Sequence, residues 1–209
     1  MSQNKSSAVM QQRTEAHDSL DDFPTPPWAT RALCETLKIT FDGHRIFNCR
    51  EPASNRGHMV KPLGEYFLDV IASDIHDYGV GHLVVDYLFQ PLQSVDWVIT
   101  NPPFRLAEQF ITKALSEATE GVAVIVRTAF LESVGRYNSL FSKTPPSHVL
   151  QFSERVVMHK GKLSAKGSTA TAYCWIVWNK RKLHSPTQFG WIPPCRKRLE
   201  RASDYEAVP

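Results

Sequence analysis

The 209-residue sequence lacks several features that mark particular classes of protein. None of its four cysteines (Cys34, Cys49, Cys174 and Cys195) belongs to a CxxC pair, and no Cys/His cluster has the spacing of zinc ligands. Reduced thiols, as in a cytosolic protein, are the simplest account. No apolar run approaches the length of a membrane span, and the polar N-terminus has no signal-peptide core. The sequence therefore predicts a soluble intracellular protein.

Neither sign of charge dominates the chain. Its formal net charge is +3 and its pI is about 8.7, which is compatible with a nucleic-acid partner but does not require one. Basic residues are frequent near the C-terminal end, where a solvated tail and a phosphate-contacting patch are both consistent with the sequence. These residues are Lys180, Arg181, Lys182, Arg196, Lys197, Arg198 and Arg201.

Length and a hydrophobic fraction of 42% predict one domain with a substantial core. Residues 1–20 are polar and are expected to be disordered. Residues 21–180 carry the apolar patterns of a folded domain, and residues 181–209 are expected to form a basic tail.

Strands and helices are predicted to alternate, which favours an α/β sheet that is mostly parallel and covered by helices on both faces. The last two strands have no convincing helix between them and are expected to pair as an antiparallel hairpin at one edge. Helices are predicted over residues 28–37, 59–67, 106–118 and 130–141. Strands are predicted over residues 45–49, 69–73, 82–85, 96–100, 121–126, 148–152 and 169–178.

Four polar residues follow predicted strands directly: Glu51, Asp74, Asp86 and Asn101. In such sheets ligands bind beyond the carboxyl ends of the strands, so these residues mark a candidate site. Asp74, next to Ile75, can accept hydrogen bonds from both ribose hydroxyls, or can cap a helix. Asp86, followed by Tyr87, can bind an adenine amine, or can lie in a surface turn.

The tetrapeptide Asn101-Pro102-Pro103-Phe104 has a more specific chemistry. The Asn101 amide oxygen and the Pro102 carbonyl can accept both hydrogens of a planar exocyclic amine, which makes its lone pair more available. Two prolines hold these acceptors with little conformational freedom, as catalysis requires. Phe104 offers a flat face for a base. The alternative is an ordinary strand-ending turn.

The order of these motifs resembles class I S-adenosylmethionine-dependent methyltransferases that act on amines. In particular, it resembles DNA adenine N6-methyltransferases of the gamma arrangement, in short phage and prophage forms, over about residues 22–179. The resemblance implies a single-domain Rossmann-like fold with a seven-stranded sheet and S-adenosylmethionine as cofactor. It also implies direct methyl transfer to a flipped base, no metal, and a cytoplasmic location in a bacterium or phage-infected cell.

The resemblance also assigns roles to residues. Thr25, Pro26 and Pro27 match the motif at the methionine end of the cofactor. Asp74 matches the ribose-binding carboxylate, Asp86 matches the adenine contact, and Asn101 to Phe104 match the catalytic motif, with Phe104 stacking on the target base. The loop around the methionine and ribose is matched by Glu51, Pro52, Ala53, Asn55 and Gly57.

Two departures from the family pattern stand out. Asn55 occupies the position of the first loop glycine, and Asn tolerates left-handed backbone geometry better than most residues. Few residues follow Trp178, so no separate target-recognition domain is expected, and sequence preference should be relaxed or short. DNA contacts are then expected from the C-terminal tail and from a basic loop comprising Arg155, His159, Lys160, Lys162 and Lys166.

Other functions remain open at this point. Similar motifs occur in enzymes that methylate adenine or guanine amines in RNA, and related motifs occur in enzymes that modify a glutamine amide. A catalytically impaired relative that only binds nucleic acid is a third possibility, although such a protein has little need for two fixed amine acceptors.

Overall fold

Eight strands form one mixed sheet within the described residues of the computed structural model, which are 21–39, 47–182 and 185–206. The predicted disorder of residues 1–20 lies outside these ranges. The order across the sheet is β3-β2-β1-β4-β5-β7-β6-β8. The strands are β1 (Asn48–Glu51), β2 (Asp69–Asp74), β3 (Leu83–Val84), β4 (Val95–Thr100), β5 (Ala118–Arg127), β6 (His148–Phe152), β7 (Tyr173–Asn179) and β8 (Gln188–Ile192).

The mostly parallel sheet predicted from the sequence is confirmed, with a difference at one edge. Strands β1 to β5 pair in parallel, and β7 runs antiparallel to both β5 and β6. The predicted antiparallel pair therefore forms, but β7 lies inside the sheet and β8 occupies the edge, parallel to β6. The pattern missed β8 because its five residues, QFGWI, include a glycine and expose two aromatic rings.

Five α-helices surround the sheet within the described residues, and none is long and apolar enough to cross a membrane. The predicted helix over 59–67 contains only one regular turn. The predicted helix over 130–141 is instead a succession of 3-10, α and π turns, in which Ser133 caps the α turn. The α-helices are α1 (Pro27–Thr36), α2 (Val60–Leu63), α3 (Ala107–Glu117), α4 (Val134–Arg136) and α5 (Arg196–Leu199).

Alternating strand residues build two cores, one on each face of the sheet. Trp97 and Ile99 of β4 face α1 and α2, whereas Val98 between them faces α3. The same period of two continues along β5 and β7, as expected when both faces of a strand are buried. Gly121 is required by this packing, because a Cβ atom there would lie 2.5 Å from the Trp97 ring.

The four cysteines are free thiols, and all are buried. Burial raises the pKa of the Cys174 and Cys195 thiols to about 11 and raises the pKa of Cys34 and Cys49 as well. Thiols with raised pKa values are poor nucleophiles at neutral pH, so these side chains act as small apolar groups in the core.

The described part of the expected C-terminal tail folds against the domain. It contains β8, α5 and a 3-10 turn at Ala202–Tyr205. Buried Arg31 of α1 donates to both carboxylate oxygens of buried Asp204 at 2.8 Å and also contacts Glu65.

Arginines of this C-terminal segment pair with carboxylates of the chain itself. The pairs are Arg181–Glu120, Arg196–Glu200, Arg198–Glu35 and Arg201–Glu65. These arginines are therefore poorer candidates for phosphate contacts than the basic run in the sequence indicates.

Candidate active site

A cavity of about 570 Å³ opens beyond the carboxyl ends of β1, β2 and β4. Its volume lies in the range typical of small-molecule sites. The cavity brings together most of the residues that the family resemblance assigned to the cofactor or to the catalytic motif. The assigned residues on its wall are Thr25, Pro52, Ala53, Asn55, Asp74, Ile75, Asp86, Tyr87, Asn101 and Pro103.

Six other assigned residues lie outside the cavity wall. Pro26 caps α1 and Pro27 is its first residue, so both fix the start of that helix. Gly57 closes the loop after β1 with φ +81, a conformation that suits glycine. Pro102 is buried in the turn at residues 101–104, which matches the family's catalytic motif and is called the catalytic turn below. The remaining two, Glu51 and Phe104, make contacts described below.

Asn101 has a fixed side-chain orientation. Its amide nitrogen donates to the Phe23 carbonyl at 2.9 Å, and only the amide nitrogen can make that bond. The amide oxygen Oδ1 therefore points the other way, and it has no hydrogen-bond partner among the described residues. A buried acceptor without a partner costs about 1–3 kcal/mol, so Asn101 is held ready to accept from a bound donor.

Further buried polar atoms without a described partner lie before α1 and at the end of β1. They include the Thr25 hydroxyl on the cavity wall and Oε2 of Glu51. Glu51 is fully buried, and its other oxygen accepts from the Ala53 amide at 3.0 Å. Burial raises the pKa of Glu51 to about 8, and the nearby Asp74 carboxylate acts in the same direction.

Glu51→Gln should make the stability of the protein less dependent on pH. The folded-state pKa of Glu51 is about 8, above its ordinary value of 4.5. The stability that protonated Glu51 contributes is therefore fully present below pH 4.5 and is lost as the pH rises to about 8. Glutamine mimics the protonated carboxyl at every pH. Between about pH 5 and pH 8.5, thermal unfolding should show the variant gaining at least about 3 °C in Tm relative to the unaltered protein.

A surface change, Glu132→Gln, is the matched control for Glu51→Gln, because Glu132 is exposed. Its Tm should follow that of the unaltered protein at each pH. Parallel curves for all three proteins would show that Glu51 is not protonated in the folded state.

Asn55 does adopt the left-handed conformation that a loop glycine would supply, with φ +49. Its backbone amide donates to Asp74 Oδ2 at 2.9 Å, and its side-chain amide donates to Asp22 Oδ1 at 2.7 Å. The Asn55 side chain therefore stabilises the loop through contacts that glycine cannot make.

The Asp74 and Asp86 carboxylates retain free acceptor capacity on the cavity wall. Asp74 accepts from the Asn55 and His76 amides, one at each oxygen. Asp86 accepts from the Leu88 amide at 2.9 Å and so caps the short 3-10 turn that follows. A carboxylate has about four acceptor positions, so each group can still bind ligand hydroxyls or amines.

Residues Asp21 to Phe23 contact three loops of the site, and the sequence pattern did not predict this. Asp21 accepts from the Phe104 amide at 2.7 Å, and Phe23 accepts from Asn101. Asp22 binds Asn55, pairs with Arg56, and accepts through its carbonyl from the Gly161 amide. The sequence feature that could have indicated these contacts is the pair of acidic residues, Asp21 and Asp22, shortly before Thr25-Pro26-Pro27.

A second cavity, of about 330 Å³, lies next to the catalytic turn. Phe23 contributes to both cavities, and Arg127, Met158 and His159 line the second one. Of the predicted nucleic-acid-binding residues, His159 thus reaches the site. The other four, Arg155, Lys160, Lys162 and Lys166, are exposed on the same loop.

Within residues 21–39, 47–182 and 185–206, no group of three or more His, Cys, Asp or Glu side chains is placed to hold a metal ion. His58 lines the larger cavity, where burial, with the Arg56 charge, lowers its pKa. It is therefore neutral at pH 7.

No protein-family model matches the chain, and no curated protein matches its sequence. Solved structures do match its fold. A Listeria monocytogenes protein assigned to the class I S-adenosylmethionine-dependent methyltransferases superposes with a TM-score of 0.62 at 14% identity, over 83% of this chain and 67% of that one. A Pyrococcus horikoshii protein assigned as an RNA methyltransferase gives 0.57 at 17% identity, over 82% and 94%.

A third solved structure is the methyltransferase subunit of a type I restriction-modification system from Streptococcus thermophilus. It superposes with a TM-score of 0.60 at 9% identity over 90% of this chain. The chain spans about half the length of that subunit, 51%. This chain has the class I methyltransferase fold. Relative to the expected seven-stranded sheet of that fold, β8 is an additional edge strand.

Proposed function

We propose that the protein is an S-adenosylmethionine-dependent methyltransferase that acts on the exocyclic N6 amine of adenine in DNA. A shared fold alone does not establish an activity, so the proposal rests on the site. The observation that carries it is the orientation of Asn101, whose amide nitrogen is held by Phe23 and whose oxygen is left as a free acceptor. An amine is the donor that this acceptor suits.

The larger cavity fits the proposed cofactor. Asp74 and Asp86 can accept from ribose hydroxyls and from the adenine amine, as the family resemblance implies. Thr25 supplies a hydroxyl with no partner among the described residues. The cavity wall has three carboxylates, Asp21, Asp74 and Asp86, and one arginine, Arg105, and this excess of negative charge favours a cationic ligand. When bound, S-adenosylmethionine supplies an electrophilic methyl group on a positively charged sulfur.

The residues of the catalytic turn act on the amine. Asn101 Oδ1 and the Pro102 carbonyl would accept its two hydrogens, which makes its lone pair more available to an electrophile. Bound S-adenosylmethionine would supply the methyl group and be left as a neutral thioether, and the methylated amine would lose a proton to solvent. Because Phe23 and Asp21 hold the turn in advance, little reorganisation of the turn itself is needed.

DNA is proposed as the substrate because the 155–166 loop, whose Met158 contacts Asn101, carries exposed basic residues. Such residues contact phosphates without reading sequence, which agrees with a relaxed or short target preference. RNA is the alternative substrate, and the experiment below tests both polymers.

The deciding experiment is incubation of the purified protein with methyl-labelled S-adenosylmethionine and unmethylated duplex DNA, with RNA in a parallel reaction. The products are digested to nucleosides and separated. Label in the N6-methyl derivative of deoxyadenosine is the expected result. Label only in ribonucleosides would mean that the substrate is RNA, and no label in any nucleoside would overturn the proposal.

Asp74→Ala should weaken S-adenosylmethionine binding about tenfold to a hundredfold, the loss typical of hydrogen bonds to a charged group. Isothermal titration calorimetry measures this directly. Asp77→Ala is the matched control, because exposed Asp77 lies outside the cavity wall and accepts only from the Gly79 amide among the described residues. Unchanged affinity in Asp74→Ala would leave Asp74 as a cap of the Asn55 loop.

A further inference from the structure

The Phe104 ring, which the family resemblance assigns to base stacking, already has a partner. The guanidinium carbon of Arg127 lies over the ring, 4.2 Å from its centroid. Phe23 contacts the same ring at a centroid distance of 5.3 Å and an angle of 39°. A base that stacks on Phe104 must therefore replace a neighbour, and the two candidates differ in how firmly they are held.

Arg127 is the more easily displaced of the two. It is exposed at the end of β5, and it has no carboxylate partner among the described residues, unlike the paired arginines of the C-terminal segment. Phe23 is buried in the core, and its carbonyl holds Asn101. Asn101 Oδ1 is itself shielded from solvent, so an amine reaches it only after a neighbouring side chain moves.

The second cavity, which Arg127 lines, has the charge that an anionic group requires. Its polar side chains are donors or hydroxyls, and no Asp or Glu is among the described residues that line it. The larger cavity, in contrast, has three carboxylates. The two cavities meet at the catalytic turn, since Phe23 lines both and Met158 Sδ lies 3.9 Å from Asn101 Nδ2. The polar side chains of the second cavity are Arg127, His159, Ser168, Thr169, Thr171 and Tyr173.

We propose that the second cavity receives the DNA nucleotide that carries the target amine, and that Arg127 is a positioning residue that exchanges partners there. In the free protein its guanidinium covers Phe104. When the nucleotide enters, the base takes the ring face and Arg127 pairs with the phosphate of that nucleotide. This inference rests on the proposed function for the identity of the base, but the phosphate contact follows from the cavity itself.

A base and a guanidinium both stack on aromatic rings, and a base offers the larger face. The free guanidinium suits phosphate because it presents a planar fork of donors. The exchange therefore replaces one favourable contact by two, and it keeps the Phe104 face covered until substrate arrives.

The test compares Arg127→Ala, Arg127→Lys and a matched control, Arg181→Ala, which removes an exposed arginine paired with Glu120 near the opposite end of β5. Binding of a fluorescent adenine-containing duplex is followed by anisotropy over a range of salt concentrations. Arg127→Ala should weaken binding about tenfold at low salt and lower the slope of log affinity against log salt by about one. Arg127→Lys should restore most of the slope, and Arg181→Ala should leave it unchanged.

A merely structural role for Arg127 would leave the salt slope unchanged in Arg127→Ala, and that result would overturn the inference. S-adenosylmethionine affinity, measured on the same samples, should be equal in all four proteins; a loss confined to Arg127→Ala would place Arg127 in the cofactor site instead. If Arg127→Ala lowered the salt slope more for an RNA duplex than for the DNA duplex, the cavity would be assigned to RNA.

Methylation assays on these samples separate the two proposals. If the unaltered protein transferred methyl groups but Arg127→Ala left the salt slope unchanged, only the inference about Arg127 would be overturned. A reduced slope without methyl transfer by any sample would retain the phosphate contact and remove the proposed function. Absence of both DNA binding and methyl transfer would overturn both.

Discussion

Asn101→Ala should lower the rate of methyl transfer at least about a hundredfold, while S-adenosylmethionine affinity stays nearly unchanged. Loss of one preorganised hydrogen-bonding group at a reacting centre typically has an effect of this size. The Asn101 oxygen is free among the described residues and its nitrogen is already bonded to Phe23, so the change removes the amine acceptor and one internal hydrogen bond. Single-turnover kinetics at saturating cofactor and calorimetric titration measure the two quantities.

The matched control is Asn138→Ala, which alters an exposed asparagine in the π turn at Tyr137–Phe141. It should leave both the rate and the affinity unchanged. If Asn101→Ala lost cofactor affinity in proportion to its rate, Asn101 would be part of the cofactor site, and the amine would need a different acceptor.

Asp204→Ala should lower the free energy of unfolding by about 3–5 kcal/mol, the range found when one partner of a buried ion pair is removed. The Asp204 side chain is fully buried and binds both terminal nitrogens of Arg31, whose side chain is also buried. Glu65 remains as a second partner of Arg31, but it is partly exposed. Urea denaturation monitored by tryptophan fluorescence gives the difference.

Glu35→Ala supplies the comparison, because it removes another ion pair between α1 and the C-terminal segment, the exposed contact with Arg198. Exposed pairs contribute at most about 1 kcal/mol. Equal losses in the two variants would mean that burial adds nothing to the Arg31–Asp204 pair.

Much of the fold was predictable because the long strands and helices carry their own signals. β5 is a run of buried β-branched residues, and α3 has apolar residues at helical spacing on its sheet-facing side. The single-turn α2 and the turns from residue 128 to 141 were not predictable in detail, because segments this short are determined by their packing and not by periodicity. β8 has the same character, since only its pairing with β6 makes it a strand.

The residues of the site likewise include some that the sequence could predict and others that it could not. Asp74, Asp86 and Asn101 follow strands that sequence periodicity locates, so their convergence could be expected. The roles of Asp22 and Arg127 could not, because each depends on contacts between segments that are distant in sequence. Pairing of the C-terminal arginines with carboxylates was hidden for the same reason: a basic run in a sequence does not reveal where its counterions lie.

The sequence separation of the contacts that order the fold and the site has a kinetic consequence. Arg31 and Asp204 are 173 positions apart, and Asp21 binds the Phe104 amide across 83 positions. Contacts of this kind close large loops, and they form late because the entropy of loop closure must be overcome first. The turn at residues 101–104 takes its observed geometry only once the loop between Asp21 and Phe104 has closed, so a chain in which that loop is open has the NPPF sequence without the geometry of its turn.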